Sequence, residues 1–182
     1  MRLRSRRASP EVPPATSGKL SLDFAWRVHV TQEAWTSKVD TKASILLALE
    51  GGALFAILSA NATGGLLSQI DRWRQILEII GASTLLAALV IAVGAVYPRL
   101  GSSWSHKSAH GSNFIYFGHL RLWEPGRLRA ELNAFDPDTQ LHMLCLQLVE
   151  MSKINWRKHR LVQISLSLAL LSVGLFALVV SL

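Results

Sequence analysis

SKVDTKASILLALEGG, residues 37–52, decides how the chain is read. Lys38 and Lys42 stand four residues apart around Asp40, and an apolar run follows at once that carries Glu50 about two turns in. Such a run is either a buried helix of a soluble protein or the start of a membrane span, and the rest of the chain chooses between the two. Apolar residues are gathered into three blocks, Ala43 to Ala62, Ile76 to Tyr97 and Leu161 to Leu182. Each is close to the ~20 residues that cross ~30 Å of hydrocarbon. The expected fold is an all-α integral membrane protein, with three transmembrane helices and a helical cytoplasmic stem.

Charge sets the expected orientation. Of the 19 Lys and Arg residues, eight precede the first block, two (Arg72 and Arg74) lie between the first and second, and nine lie between the second and third. The positive-inside rule then places the N-terminus in the cytoplasm of a multi-pass protein of the inner membrane. The net charge of +7 suits either anionic lipid headgroups or an anionic ligand, and composition does not separate them. The N-terminal stretch MRLRSRRASPEVPPATSGK lacks the apolar centre of a signal peptide. The single cysteine, Cys145, excludes an internal disulfide and a thiolate metal site.

Five segments are expected: a disordered basic arm over 1–18, a cytoplasmic amphipathic helix over 19–42, and two spans with a short external loop over 43–97. A cytoplasmic sensing region covers 98–160, and the third span covers 161–182. No proline interrupts Lys19 to Tyr97, so the amphipathic helix can run directly into the first span. At 100° per residue Phe24, Val28, Trp35 and Val39 share one face, with Glu33 and Asp40 roughly opposite. Lys38 and Lys42 flank that face beside Trp35, a corner suited to an anion with a flat base. The competing reading has the lysines snorkelling to lipid phosphates and Trp35 in the interfacial aromatic belt.

Within the first span, Ser44, Ala48, Gly52, Ala56, Ala60 and Gly64 form an i, i+4 row of small residues, a surface for close helix packing. It can meet the second span, which offers Thr84, Ala88 and Ala92, or a second copy of the chain. Glu50 is expensive in hydrocarbon and should face the interior, as a polar clamp between helices or as a residue of a pore.

Further along, Glu124-Pro125 and Asp136-Pro137 read as helix starts. From Pro137 no proline follows, so one long helix should carry the packed stripe Leu141, Leu144, Leu148, Met151 and Asn155 into the third span. Lys153, Arg157, Lys158 and Arg160 crowd its membrane end. His106 and His110 have zinc-like spacing but lie in a Gly/Ser-rich loop without further ligands, so no metal site is expected. His119 reads as structural. Phosphate-cradling, nucleophile-elbow and zinc-protease motifs are all missing, so no enzyme and no cofactor are expected.

Trp35, Lys38 and the Asp40-x-Lys42-Ala43-Ser44 segment entering a Leu/Ala-rich span resemble the signature of the Pycsar membrane effectors (PycTM). NFIYFGHL (residues 113–120) and QLVEMSKI (residues 147–154) are similar to the rest of that domain. The resemblance covers about Trp26 to the C-terminus. It implies antiviral defence, with cyclic CMP or cyclic UMP made by a partner pyrimidine nucleotide cyclase on phage infection, and a membrane then impaired to arrest or kill the cell. Expected partners are therefore a cyclic pyrimidine mononucleotide, membrane lipid and further copies of the chain, with no nucleic-acid polymer. Candidate ligand contacts are Trp35, Lys38 and Lys42, or Lys153 and Arg157, with the base near Trp35 or Phe114-Tyr116-Phe117. The remaining alternatives are an accessory membrane subunit and a small channel component without nucleotide sensing.

Overall fold

A computed structural model describes residues 14–62, 71–97 and 114–181. The N-terminal arm up to residue 13, Gly64, His106 and His110 lie outside the described residues. The described residues form five helices and no strand: α1 (Pro14–Ala60), α2 (Arg72–Val96), α3 (Phe117–Leu120), α4 (Pro125–Ala134) and α5 (Pro137–Ser181). Helix α1 begins at Pro14, inside the stretch expected to be disordered, because a proline at the first helical position loses no hydrogen bond there. It then continues without a break into the first apolar block.

Three of these helices, α1, α2 and α5, are long and apolar enough to cross a membrane, with mean hydropathies of 1.9, 2.5 and 2.4 over their most apolar windows. The 45 residues of α5 extend about 68 Å at 1.5 Å per residue, so a polar stem and an apolar span share one helix.

The chain divides into two units. One comprises residues 1–31 and 101–149, and the other residues 32–100 and 150–182. In the first, the short helices are started by side-chain caps. Both Glu124 carboxylate oxygens accept backbone N–H groups, from Gly126 (3.0 Å) and Arg127 (2.9 Å). Asp136 Oδ1 accepts from the N–H groups of Thr139 (2.8 Å) and Asp138 (2.9 Å), and Oδ2 accepts from the Thr139 hydroxyl. These bonds hold both carboxyls below the usual carboxylate range. Phe114 packs against Trp123 and Phe135, each with ring centroids 4.8 Å apart. A side chain at Gly118 would run into the Tyr116 ring.

In the second unit, α1 and α5 run parallel. Gln32 meets Ser152, Thr36 meets Asn155, Asp40 meets Lys158 and Glu50 meets Ser165, so the pairing advances in the same direction along both helices. Helix α2 returns antiparallel to them and is tied to α5 where the Ser172 hydroxyl donates to the Gly81 carbonyl at 2.8 Å. The buried positions of α2 are Glu78, Gly81, Leu85, Ala88, Ala92 and Ala95. They repeat at alternating steps of three and four, as do Asn155, Lys158, Val162, Ser165, Ala169 and Ser172 on the covered face of α5. A 3.5-residue repeat keeps a narrow seam facing its partner in a left-handed bundle, and small residues at the seam let backbones approach.

That seam corrects one sequence expectation and decides between two alternatives left open for another. In this unit Val39 and Ala43 are covered on α1, because a close seam accommodates narrow side chains and leaves the wide Trp35 ring, 55% exposed, on its flank; in the other unit Phe24 is 68% exposed while Ala25 and His29 are covered. Asp40 lies beside the seam, partly exposed and bonded to Lys158. Ser44, Ala48, Gly52 and Ala56 are exposed, so the small-residue row does not pack on α2. An i, i+4 row drifts about 40° around the helix at every step and cannot stay in a 3.5-residue seam.

Candidate functional site

Where the stem meets the spans, the carbonyl end of α2 and one face of α5 enclose a cavity of about 310 Å³. That is the lower end of the volume range of small-molecule sites. Helix α2 contributes Gly94, Ala95 and Tyr97, and α5 contributes Lys153, Arg157 and Lys158 above Leu161. The sequence produces this locally. Residues 153, 157 and 158 fall within one turn and a half of a helix, so three cations share a flank. Helix α2 stops at Tyr97, ahead of Pro98, with its last N–H bonded to the Val93 carbonyl at 2.8 Å, and this leaves the Tyr97 side chain exposed at the mouth.

Two of the three cations have carboxylate partners. Lys153 pairs with Glu150 at 2.6 Å on the exposed side of α5, and Lys158 pairs with Asp40 of α1 at 2.5 Å. Arg157 has no ion-pair partner among the described residues. The carbonyl end of α2 adds a partial negative charge of about half a unit, which the charge of Arg157 outweighs. An aromatic ring, a guanidinium fork and two ammonium groups around one cavity can hold a phosphate ester and stack on a planar base.

The structure therefore groups Lys153 and Arg157 and adds Tyr97 and Lys158 to them. Lys158 stood in the basic cluster of the sequence. Tyr97 carried no signal of its own, since it reads only as the aromatic end of a span. Trp35, Lys38 and Lys42 are exposed and line neither this cavity nor the neighbouring groove. At 100° per residue, Lys38 and Lys42 are each about 160° from Asp40, which puts them on the other flank of the α1–α5 pair. There Trp35 lies 6.0 Å from the His159 ring. An open groove of about 710 Å³ runs along α1 past Glu33, Asp40 and the hydroxyls of Thr36, Ser37, Thr41 and Ser44. Its two carboxylates disfavour an anion. Phe114, Tyr116 and Phe117 belong to the other unit, where the Tyr116 ring packs at a tilt on Phe117 and edge-on to His119.

Within the spans Glu50 faces the interior, only 2% exposed, and Oε1 accepts the Ser165 hydroxyl at 2.6 Å. Its Oε2 is buried with no hydrogen-bond partner among the described residues. Glu78 is also buried, and the Asn61 side-chain amide donates to it. A model of the Pycsar effector protein domain (PycTM) matches residues 24–182, which takes in the stem, the cavity and all three spans. No curated protein and no solved structure matches the chain.

Proposed function

Since the chain belongs to the Pycsar effector protein domain family, and so has a part in Pycsar antiphage defence, we propose that it is a membrane effector switched on by cyclic CMP or cyclic UMP. Family membership across residues 24–182 carries this reading. The family implies a partner cyclase and a cyclic nucleotide signal, and the cationic cavity at the foot of the spans is a place where such a signal can act on them. The excess of Lys and Arg before the first span and between the second and third favours an N-terminus and stem in the cytoplasm of a cell whose inner membrane holds the three helices.

The effector acts without chemistry of its own. A ligand can shift a helix bundle only by binding its two arrangements with different affinity. A site built from α2 and α5 meets that requirement whenever the two arrangements space those helices differently. Impairment of the membrane needs more than three helices, and the exposed row Ser44, Ala48, Gly52 and Ala56 offers a second copy a surface for close approach. Anionic lipid at the basic border of the stem is a further partner, through Lys38, Lys42 and Arg160.

The test is dye release from liposomes carrying the purified protein, titrated with cyclic UMP, cyclic CMP and cyclic AMP. Release driven by a pyrimidine nucleotide, with cyclic AMP silent, is the expected result. If no nucleotide alters release and none binds, the effector reading fails and an accessory membrane subunit takes its place.

A further inference from the structure

Lys158 stands at a junction that no other cation of the cavity occupies. Its ammonium group is bonded to Asp40 of α1 at 2.5 Å, yet its side chain lines the cavity formed with α2, so a single charge belongs to two surfaces. Asp40 in turn lines the acidic groove on the far side of that bond. Its side chain is 41% exposed and that of Lys158 is 21% exposed, so the pair is neither locked in a dry core nor dispersed in water. The pair joins α1 to α5.

We propose that Lys158 is a shared cation, for which the phosphate of a ligand in the cavity competes with Asp40, so that anion binding and α1–α5 pairing at the membrane border are coupled. This deepens the function proposed above and rests on it for the identity of the anion. Arg157, which has no carboxylate partner among the described residues to give up, supplies the first hold on the phosphate. Tyr97 covers the base, and Lys158 completes the charge only by letting Asp40 go. The released carboxylate then stands among Glu33 and the hydroxyls of the groove, where it repels like charge and gains water. Coupling of this kind is reciprocal, so removing the Asp40 carboxylate that competes for Lys158 must strengthen anion binding. A purely structural salt bridge carries no such expectation, because its loss would loosen the cavity wall and weaken binding.

The chemistry that Lys158 would recognise is a phosphate, and both a free cyclic nucleotide and a lipid headgroup carry one. The experiment therefore uses the full-length chain in phosphatidylcholine nanodiscs, titrated separately with cyclic UMP, cyclic CMP, inorganic phosphate and short-chain phosphatidylglycerol. Asp40→Asn should tighten binding by about two- to fivefold, within the range a partly exposed ion pair commands. Glu33→Gln, an equal change of charge on the same helix, should leave the affinity where it was. Arg157→Ala and Lys158→Met should each weaken binding tenfold or more.

If inorganic phosphate or phosphatidylglycerol responds in this way while neither nucleotide binds, the shared cation stands and the cyclic nucleotide reading falls. If the nucleotides bind the wild-type chain and Asp40→Asn leaves their affinity unchanged or lowers it, the shared cation is overturned and the nucleotide reading survives. Wild-type affinity in Lys158→Met, or no binding of any of the four probes, also overturns the proposal.

Discussion

Asn155 is the polar centre of the α1–α5 seam, and removing it should loosen the stem by an amount the structure lets one work out. Only 8% exposed, it donates from Nδ2 to both the backbone carbonyl and the side-chain oxygen of Gln32 at 3.2 Å, and Oδ1 accepts the Thr36 hydroxyl at 2.7 Å. In Asn155→Ala the Thr36 hydroxyl keeps its bond to the Gln32 carbonyl at 2.9 Å, so it is not orphaned. The half-buried Gln32 side chain keeps its bond to Ser152 at 2.6 Å and can turn its oxygen to water. About two net bonds at ~1 kcal/mol each, with a small void, give a loss of about 2–3 kcal/mol. At 1.36 kcal/mol per decade, local opening becomes roughly 30- to 150-fold more frequent. Hydrogen exchange read by mass spectrometry, on protein in nanodiscs, should show that loss of protection over residues 32–40 and 152–158 together. Ser152→Ala removes one exposed bond and should cost less than tenfold. Asn155→Leu should retain most of the protection, since an apolar side chain suits the seam, but should blunt the response to ligand because the register is no longer pinned. Protection within threefold of wild type in Asn155→Ala would refute the assignment of the seam to this polar cluster.

Ser165→Ala should lower resistance to SDS unfolding by about 0.6–2 kcal/mol, the range for hydrogen bonds between helices in a membrane, as followed by circular dichroism. Glu50→Leu should cost less than the lost bond alone suggests, because it also removes the buried, unpartnered Oε2. At Gly52 an added Cβ meets nothing within 4 Å among the described residues, so Gly52→Leu should leave the helicity unchanged while reducing cross-linked oligomer and dye release together. For Asp136, the Thr139 and Asp138 hydrogen bonds put the folded carboxyl below its unfolded value. The capping contribution is therefore complete above the ordinary aspartate range and is lost as the pH falls through the folded value. Asp136→Ala should remove that acid-side loss from a pH series of helicity for the start of α5, and persistence of the same loss in the variant would assign it to another group.

What the chain determined alone was everything that adds up locally. The lengths of the spans, the unbroken run of α1 into its span, the starts of α4 and α5 at Glu124-Pro125 and Asp136-Pro137, and the cationic crowding near residue 157 follow from hydropathy, capping and the placement of proline. The family followed from short motifs in the same way. Which face of each helix is covered did not follow. Inside hydrocarbon a leucine gains nothing by leaving lipid for protein, so the pattern of apolar residues carries no inward direction. In the stem, an aromatic face and a narrow small-residue seam compete for the same helix. The choice rested on shape complementarity between helices whose bonded residues lie 115–123 positions apart in sequence. That choice covered Val39, as the sequence face expected, but left Phe24 and Trp35 exposed, and it turned the row from Ser44 to Ala56 outward. It also bonded Asp40 to Lys158 and brought Tyr97 to a cavity with Lys153 and Arg157. Each of these depends on where a second helix stands, and only the assembled bundle contains that information.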